Sequence, residues 1–301
     1  MAGNDRQTLH CYNDTVLVTI IGLGLIGGSI GLALRQGKKP GWEIVGYSHH
    51  QETVVNALSS GAIERGETSL KDAVKQADFV IIATPVLTIK EIFSEIAPHL
   101  PSACIVTDTA STKVQVMKWA KEILPPTVDF IGGHPMAGKE TYGIQAAEAE
   151  LFRGCTYCLT SSEKVSLKSI DTVKGMVKKL GAIPFFIDAQ EHDSLVAGIS
   201  HLPILLSAAL VSITTKNSSW SKMSKLAASG YHDLTRLASG SPEVNAHVCL
   251  SNKEAIVNWI DKFSQELERY RQLVAGGDKR LEQAFAEVNK ARQEWLNNLS
   301  A

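Results

Sequence analysis

The stretch from Thr15 to Arg35 constrains the fold more than any other part of the chain. An apolar, β-branched run (TVLVTII, ending at Ile21) leads into Gly22-x-Gly24-x-x-Gly27, and Ser29 to Arg35 then reads as helix. Such a run suits a strand buried on both faces of a parallel sheet. Glycines between a strand and a helix permit a tight turn and let a diphosphate approach the helix N-terminus. The stretch therefore predicts a dinucleotide-binding fold, with Gly22, Gly24, Leu25, Ile26 and Gly27 at the cofactor. Close packing of a helix on a strand would also use such glycines.

Strand and helix patterns keep alternating as far as Asp188: WEIVGYS, ADFVIIATPV, ACIVTDT, VDFIGGH, TYCLT and IPFFID, with a helical stretch through Val54 to Leu58 among them. This alternation predicts an α/β, Rossmann-type doubly wound sheet. From Ala189 onward the patterns are helical. We therefore expect a dinucleotide-binding domain over residues 14–188 and an all-α substrate and dimerisation domain over 189–301. Within the latter, Ser251-x-x-Glu254 has the form of a capping box, Gly276-Gly277 stops the helix that follows, and Ser241-Pro242 reads as an N-cap with proline at N1. The apolar stripes of the two terminal helices (Ile256 to Leu267 and Leu281 to Trp295) need a covering surface, so a homodimer through this domain is expected.

Lysine and arginine total 30 against 31 acidic residues in 301. This near-neutral balance gives no electrostatic footprint for nucleic acid or an anionic membrane and favours a small-molecule substrate. The first residues, MAGNDRQTLHCYND, lack an apolar signal core, and the apolar run from Pro203 to Ile213 is too short to span a bilayer, so a cytoplasmic location is expected. Five cysteines make no disulfide framework. Cys155 and Cys158 form a C-x-x-C with no second pair to complete a metal site, and no metal is expected.

In a doubly wound sheet the ligand lies beyond the carboxyl ends of the strands. Those ends carry Thr84 and Pro85, then Asp108, Ser111 and Lys113, then His134. His134, in a turn between Gly133 and Pro135, is placed either to accept a proton as hydride departs or simply to hydrogen-bond its loop. Ser111 either orients it or caps a helix beginning near Thr112. In the helical half, Arg236 either forks onto a substrate carboxylate or bridges to Asp233 or Glu243. The second strand pattern ends at Ser48, followed by His49 and His50, where NAD-specific folds carry a carboxylate. NADP is therefore expected to be accepted and favoured over NAD, with Ser48 and His49 at the ribose; the alternative is that Ser48 alone bonds the NAD ribose.

Taken together, GLGLIGGS (22–29), ATPV (83–86), D-x-x-S-x-K (108–113), GGHPMAG (132–138), SHLP (200–203) and GYHDLTRLA (230–238) resemble the prephenate and arogenate dehydrogenase family of tyrosine biosynthesis. The resemblance implies that His134 is the catalytic base, Ser111 its partner near the nicotinamide, Arg236 the holder of a substrate carboxylate, and His201 a substrate-side residue; Lys113, just beyond its strand end, is also expected on the substrate. The implied reaction is NAD(P)-dependent oxidative decarboxylation to 4-hydroxyphenylpyruvate or tyrosine. Ile204 stands where many prephenate-specific members carry a histidine, a feature shared with some arogenate-using members. The chain ends near the dimer helices, so no appended regulatory or chorismate mutase domain is expected. The rival readings are a 3-hydroxyacid dehydrogenase, which usually relies on a lysine base, and a non-catalytic dinucleotide sensor.

Overall fold

The computed structural model describes residues 15–36 and 41–299; the polar N-terminal stretch discussed above lies outside the described residues. The first half alternates β1 (Val16–Ile21), α1 (Leu25–Arg35), β2 (Trp42–Tyr47), α2 (Gln51–Ser59), β3 (Arg65–Glu67), α3 (Leu70–Val74), β4 (Phe79–Ile82), α4 (Ile89–Ile96), β5 (Ile105–Asp108), α5 (Val114–Ile123), β6 (Asp129–Pro135), β7 (Thr156–Ser161), α6 (Leu167–Lys179) and β8 (Ile183–Phe186). The strands form one sheet in the order β3-β2-β1-β4-β5-β6-β7-β8. Every pairing is parallel except that of β6 with β7. The strand β3 carries only Arg65, Gly66 and Glu67, too short and polar to register as an apolar pattern, and was not expected from the sequence.

The apolar runs are continuous because both faces of the sheet are covered. Val18, Ile20, Phe79 and Ile81 pack into one core with Ile30, Leu34 and Val177, while Ile21, Val80, Ile82 and Val106 pack into a second with Ile92, Phe93 and Val116. Strand order reverses between β1 and β4, which places a ligand crevice at their carboxyl ends.

After β8 the described elements are helical: α7 (Ala189–Val196), α8 (Leu202–Thr215), α9 (Trp220–Leu226), α10 (Ser229–Thr235), α11 (Pro242–Ser251), α12 (Lys253–Ala275) and α13 (Arg280–Leu299). By their contacts the residues form two compact units, the first ending at Asn252 and the second comprising Lys253 onward. In the second unit α12 ends at the Gly276-Gly277 turn, where Gly277 has φ +58°. Two local expectations change. Ser251 closes α11 rather than capping α12: its hydroxyl donates to the Val248 carbonyl and accepts from Thr112 at 3.0 Å. A π-helical turn at Ala197–His201 joins α7 to α8, giving one helix over Ala189–Thr215. That helix is long and apolar enough, by length and composition, to cross a membrane, whereas the apolar run read from the sequence covers only its second half. The sequence hid its continuity because polar side chains interrupt its first half, and these are packed inside the protein: His192, Asp193 and His201 are all buried.

Candidate active site

The glycine turn is built by exclusion. Gly22 has φ +95°, and a β-carbon there would lie 2.6 Å from the Ala83 carbonyl oxygen. Gly24 precedes α1 and brings no side-chain cap, so the first turn of α1 presents the positive end of the helix dipole. Nothing lies within 4 Å of the position a Gly24 β-carbon would take. A bare helix terminus facing open space at a strand switch point fits a diphosphate. The cavity here has a volume of about 680 Å³ and is lined by Gly22, Gly24, Leu25, Ile26, Thr84 and Pro85, with α11 contributing Val244 and Val248. Gly27 lies behind this surface, buried against Gly22.

At the end of β2, Ser48 and His50 line the same cavity, whereas His49, expected at the ribose, does not. The His49 ring packs edge-on against Tyr47 and its Nδ1 lies 3.2 Å from the Tyr47 hydroxyl. His50 replaces it because the chain turns into α2 there, with the Ser48 hydroxyl accepting from the His50 N–H. Glu52, in the first turn of α2, also lines the cavity, a carboxylate that lies beyond the strand end.

A second cavity, of about 400 Å³, is lined by Ser111, His134, Glu140, Ile204 and Arg236 among others. It shares Ser111, Glu140 and Asn245 with the first, so the two adjoin. His134 is buried at the end of β6, and its Nδ1 lies 2.9 Å from Nε2 of His192. His192 Nδ1 in turn lies 2.7 Å from Asp193 Oδ1. The same carboxylate accepts the backbone N–H groups of Lys113 (2.7 Å) and Val114 (2.9 Å), capping α5 from outside. Burial, with His192, Lys113 and His201 nearby, holds the His134 pKa well below the usual histidine value. His134 is thus a neutral imidazole with Nε2 left for the cavity, a state suited to accepting a proton.

The remaining expected residues divide. Ser111 and Arg236 line the substrate-side cavity with His134. Arg236 bridges to neither Asp233 nor Glu243 but to Glu140, with the guanidinium side chain 54% exposed. Lys113, expected on the substrate, is fully buried away from both cavities; its ammonium donates to the Asp108 carboxylate and, at 2.6 Å, to the Gly133 carbonyl. Burial lowers its pKa against the opposing pull of Asp108. His201 is likewise buried, lines neither cavity, and meets the Asn252 amide at 3.3 Å. Its pKa is pushed down to about 4, chiefly by burial. Of the residues these contacts add, the sequence draws attention to His192, as a histidine of the helical half, but gives no sign that Asp193, Glu140 and Asn252 belong to the site. Their roles arise from contacts across long separations that no local spacing encodes.

A doubly wound sheet, a diphosphate-ready helix terminus, and a neutral histidine where the cofactor cavity meets a second cavity define a nicotinamide-dependent dehydrogenase. Residues 30–184 match the family model described as prephenate dehydrogenase, nucleotide-binding domain, and residues 188–290 that described as prephenate dehydrogenase, dimerization domain. The chain belongs to the prephenate dehydrogenase family. It is 36% identical over 272 residues to prephenate dehydrogenase of Bacillus subtilis (strain 168), covering 90% of this chain and 72% of that protein. It is 29% identical over 279 residues to cyclohexadienyl dehydrogenase of Zymomonas mobilis, covering 91% and 94% respectively. Among solved structures, prephenate dehydrogenase from A. aeolicus in complex with hydroxyphenyl propionate and NAD+ superposes with a TM-score of 0.85 at 30% identity, covering 93% of this chain and 98% of that one. Synechocystis arogenate dehydrogenase superposes with a TM-score of 0.77 at 28% identity, covering 93% and 100%.

Proposed function

We propose that this chain catalyses the NAD(P)-dependent oxidative decarboxylation of prephenate, arogenate or both, giving 4-hydroxyphenylpyruvate or tyrosine with carbon dioxide. The observation that carries the proposal is His134: a buried, neutral imidazole lining the cavity that adjoins the dinucleotide cradle. A nicotinamide held on the Gly22–Gly24 turn would supply the acceptor for the hydride leaving the ring carbon that bears the hydroxyl. His134 Nε2 accepts the hydroxyl proton, and the ring carboxylate leaves as carbon dioxide while the ring becomes aromatic. Ser111 stands on the shared wall of the two cavities, suited to holding the hydroxyl against His134. Arg236 pairs with a substrate carboxylate, exchanging Glu140 for it. The two substrates differ in a side-chain keto or ammonium group, and Glu140 is the carboxylate in the cavity able to tell them apart.

The cofactor preference is proposed as NADP, supported by Ser48 and His50 and opposed by Glu52 on the same wall. The domain boundary is placed between Asp188 and Ala189, close to where the two family-model ranges meet. A homodimer would cover exposed apolar side chains such as Phe263 and Leu267 on α12 and Phe285 and Trp295 on α13. A cytoplasmic location, with neither nucleic acid nor membrane as partner, fits the near-neutral charge. Steady-state assays with prephenate and arogenate, each with NAD and NADP, test the activity: turnover of neither substrate with either cofactor overturns it.

A further inference from the structure

We propose that His192, clamped by Asp193, is a positioning residue that fixes which ring nitrogen of His134 carries the proton, so that the base presents a bare Nε2 to the substrate. This rests on the reading of His134 as the base, and the argument is one of donors and acceptors. An ionised carboxylate only accepts hydrogen bonds. Asp193 lies 2.7 Å from His192 Nδ1, so the hydrogen between them belongs to the histidine. The carboxylate is itself immobilised by the Lys113 and Val114 N–H groups, and Asn252 holds the Asp193 backbone carbonyl at 2.7 Å. A neutral His192 protonated on Nδ1 has a bare Nε2, and that atom faces His134 Nδ1 at 2.9 Å. The hydrogen in this second bond therefore belongs to His134. Both rings are buried and meet edge to face at 74°, with centroids 5.1 Å apart, which holds the facing nitrogens in place. A free neutral imidazole places its proton on either nitrogen; here the chain of bonds selects Nδ1. When His134 takes a proton on Nε2, its Nδ1–H keeps the same partner, and no group has to turn.

Nitrogen-15 histidine labelling of the full chain without substrate or cofactor, read by long-range proton–nitrogen correlation at pH 8, tests the assignment. The expected parent signature is His134 protonated on Nδ1. His192→Phe, which fills the ring volume without an acceptor, should move the His134 proton to Nε2 or to both nitrogens and lower kcat roughly tenfold to a hundredfold. Substrate KM should stay within about twofold. His192→Gln, which retains an acceptor toward His134 and a donor toward Asp193, should recover most of the turnover. A parent protonated on Nε2, or a His134 signature unchanged in His192→Phe, overturns the proposal. If His192→Phe does not fold, the parent signature and the His192→Gln turnover decide. A parent protonated on Nδ1 that turns over neither substrate supports this assignment while overturning the proposed function.

Discussion

A β-carbon on Gly27 would stand 1.9 Å from the carbonyl oxygen of Gly22, so the first turn of α1 meets the end of β1 with no room for a side chain. Backbone is the obstacle, and backbone cannot swing aside as a long side chain can. Gly27→Ala should therefore destabilise the fold by about 1–3 kcal/mol, the usual cost of overpacking, read as a lower urea midpoint. Gly24→Ala makes the contrasting test, since nothing lies within 4 Å of the added carbon. It should leave the urea midpoint nearly unchanged yet weaken dinucleotide binding, because the methyl group enters the cavity.

The two histidines after β2 separate by position. His50→Ala should change the ratio of kcat/KM for NADP to that for NAD, whereas His49→Ala should leave it alone, because His49 is occupied by Tyr47 outside the cavity. Ser48→Asp should turn the enzyme toward NAD, and Glu52→Gln should turn it toward NADP by removing the carboxylate that a 2′-phosphate would meet. Steady-state kinetics with both cofactors read all four.

Arg236→Gln should raise substrate KM by a factor on the order of a hundred, the loss of a charge-assisted contact of about 2–3 kcal/mol, and leave nucleotide affinity unchanged. The Glu140 ion pair is substantially exposed, with side chains 54% and 32% accessible, so its loss should barely move the melting temperature. A variant that melts early with normal KM would assign the arginine to structure instead.

His201 links stability to pH. Its folded pKa lies near 4, against about 6.5 in the unfolded chain. Above pH 6.5 both states hold a neutral ring and nothing is lost. As pH falls below 6.5 the unfolded state takes up a proton that the folded state refuses, so stability declines until the folded group titrates. At pH 5 this amounts to about 2 kcal/mol, and His134, lowered in the same direction, adds to the loss. Urea titrations of the parent and His201→Gln at pH 7.5 and 5 should show a smaller pH-dependent loss in the variant.

The parts legible in the sequence are those whose physics is local. Gly22 and Gly27 announce themselves because a tight turn and a close helix–strand approach demand glycine at fixed spacing, and His134 is visible because it ends an apolar strand pattern, although the structure keeps it inside β6, paired with Cys158, rather than in the turn expected. Ser241-Pro242 capped α11 as expected, with the Ser241 hydroxyl accepting from the Val244 N–H. The clamp on His134 was not legible. Asp193 reaches the start of α5 across 80 residues, and only folding places it there. Lys113 looked like a substrate residue because it follows a strand end, but the approach of β6 to β5 brings Gly133 against Asp108 and encloses the ammonium between them. His49 and His50 are adjacent in sequence, and the turn into α2 decides which of them meets the ligand.

The central claim is oxidation coupled to loss of the ring carboxylate with His134 as base. The direct measurement is to supply prephenate and arogenate labelled with carbon-13 in the ring carboxylate and to follow labelled carbon dioxide and reduced nicotinamide in the same reaction. The account predicts equal amounts of the two from at least one substrate, and a fall in both rates by roughly two to four orders of magnitude in His134→Asn with dinucleotide affinity retained. Reduced nicotinamide without carbon dioxide, or a His134→Asn variant as fast as the parent, would contradict it.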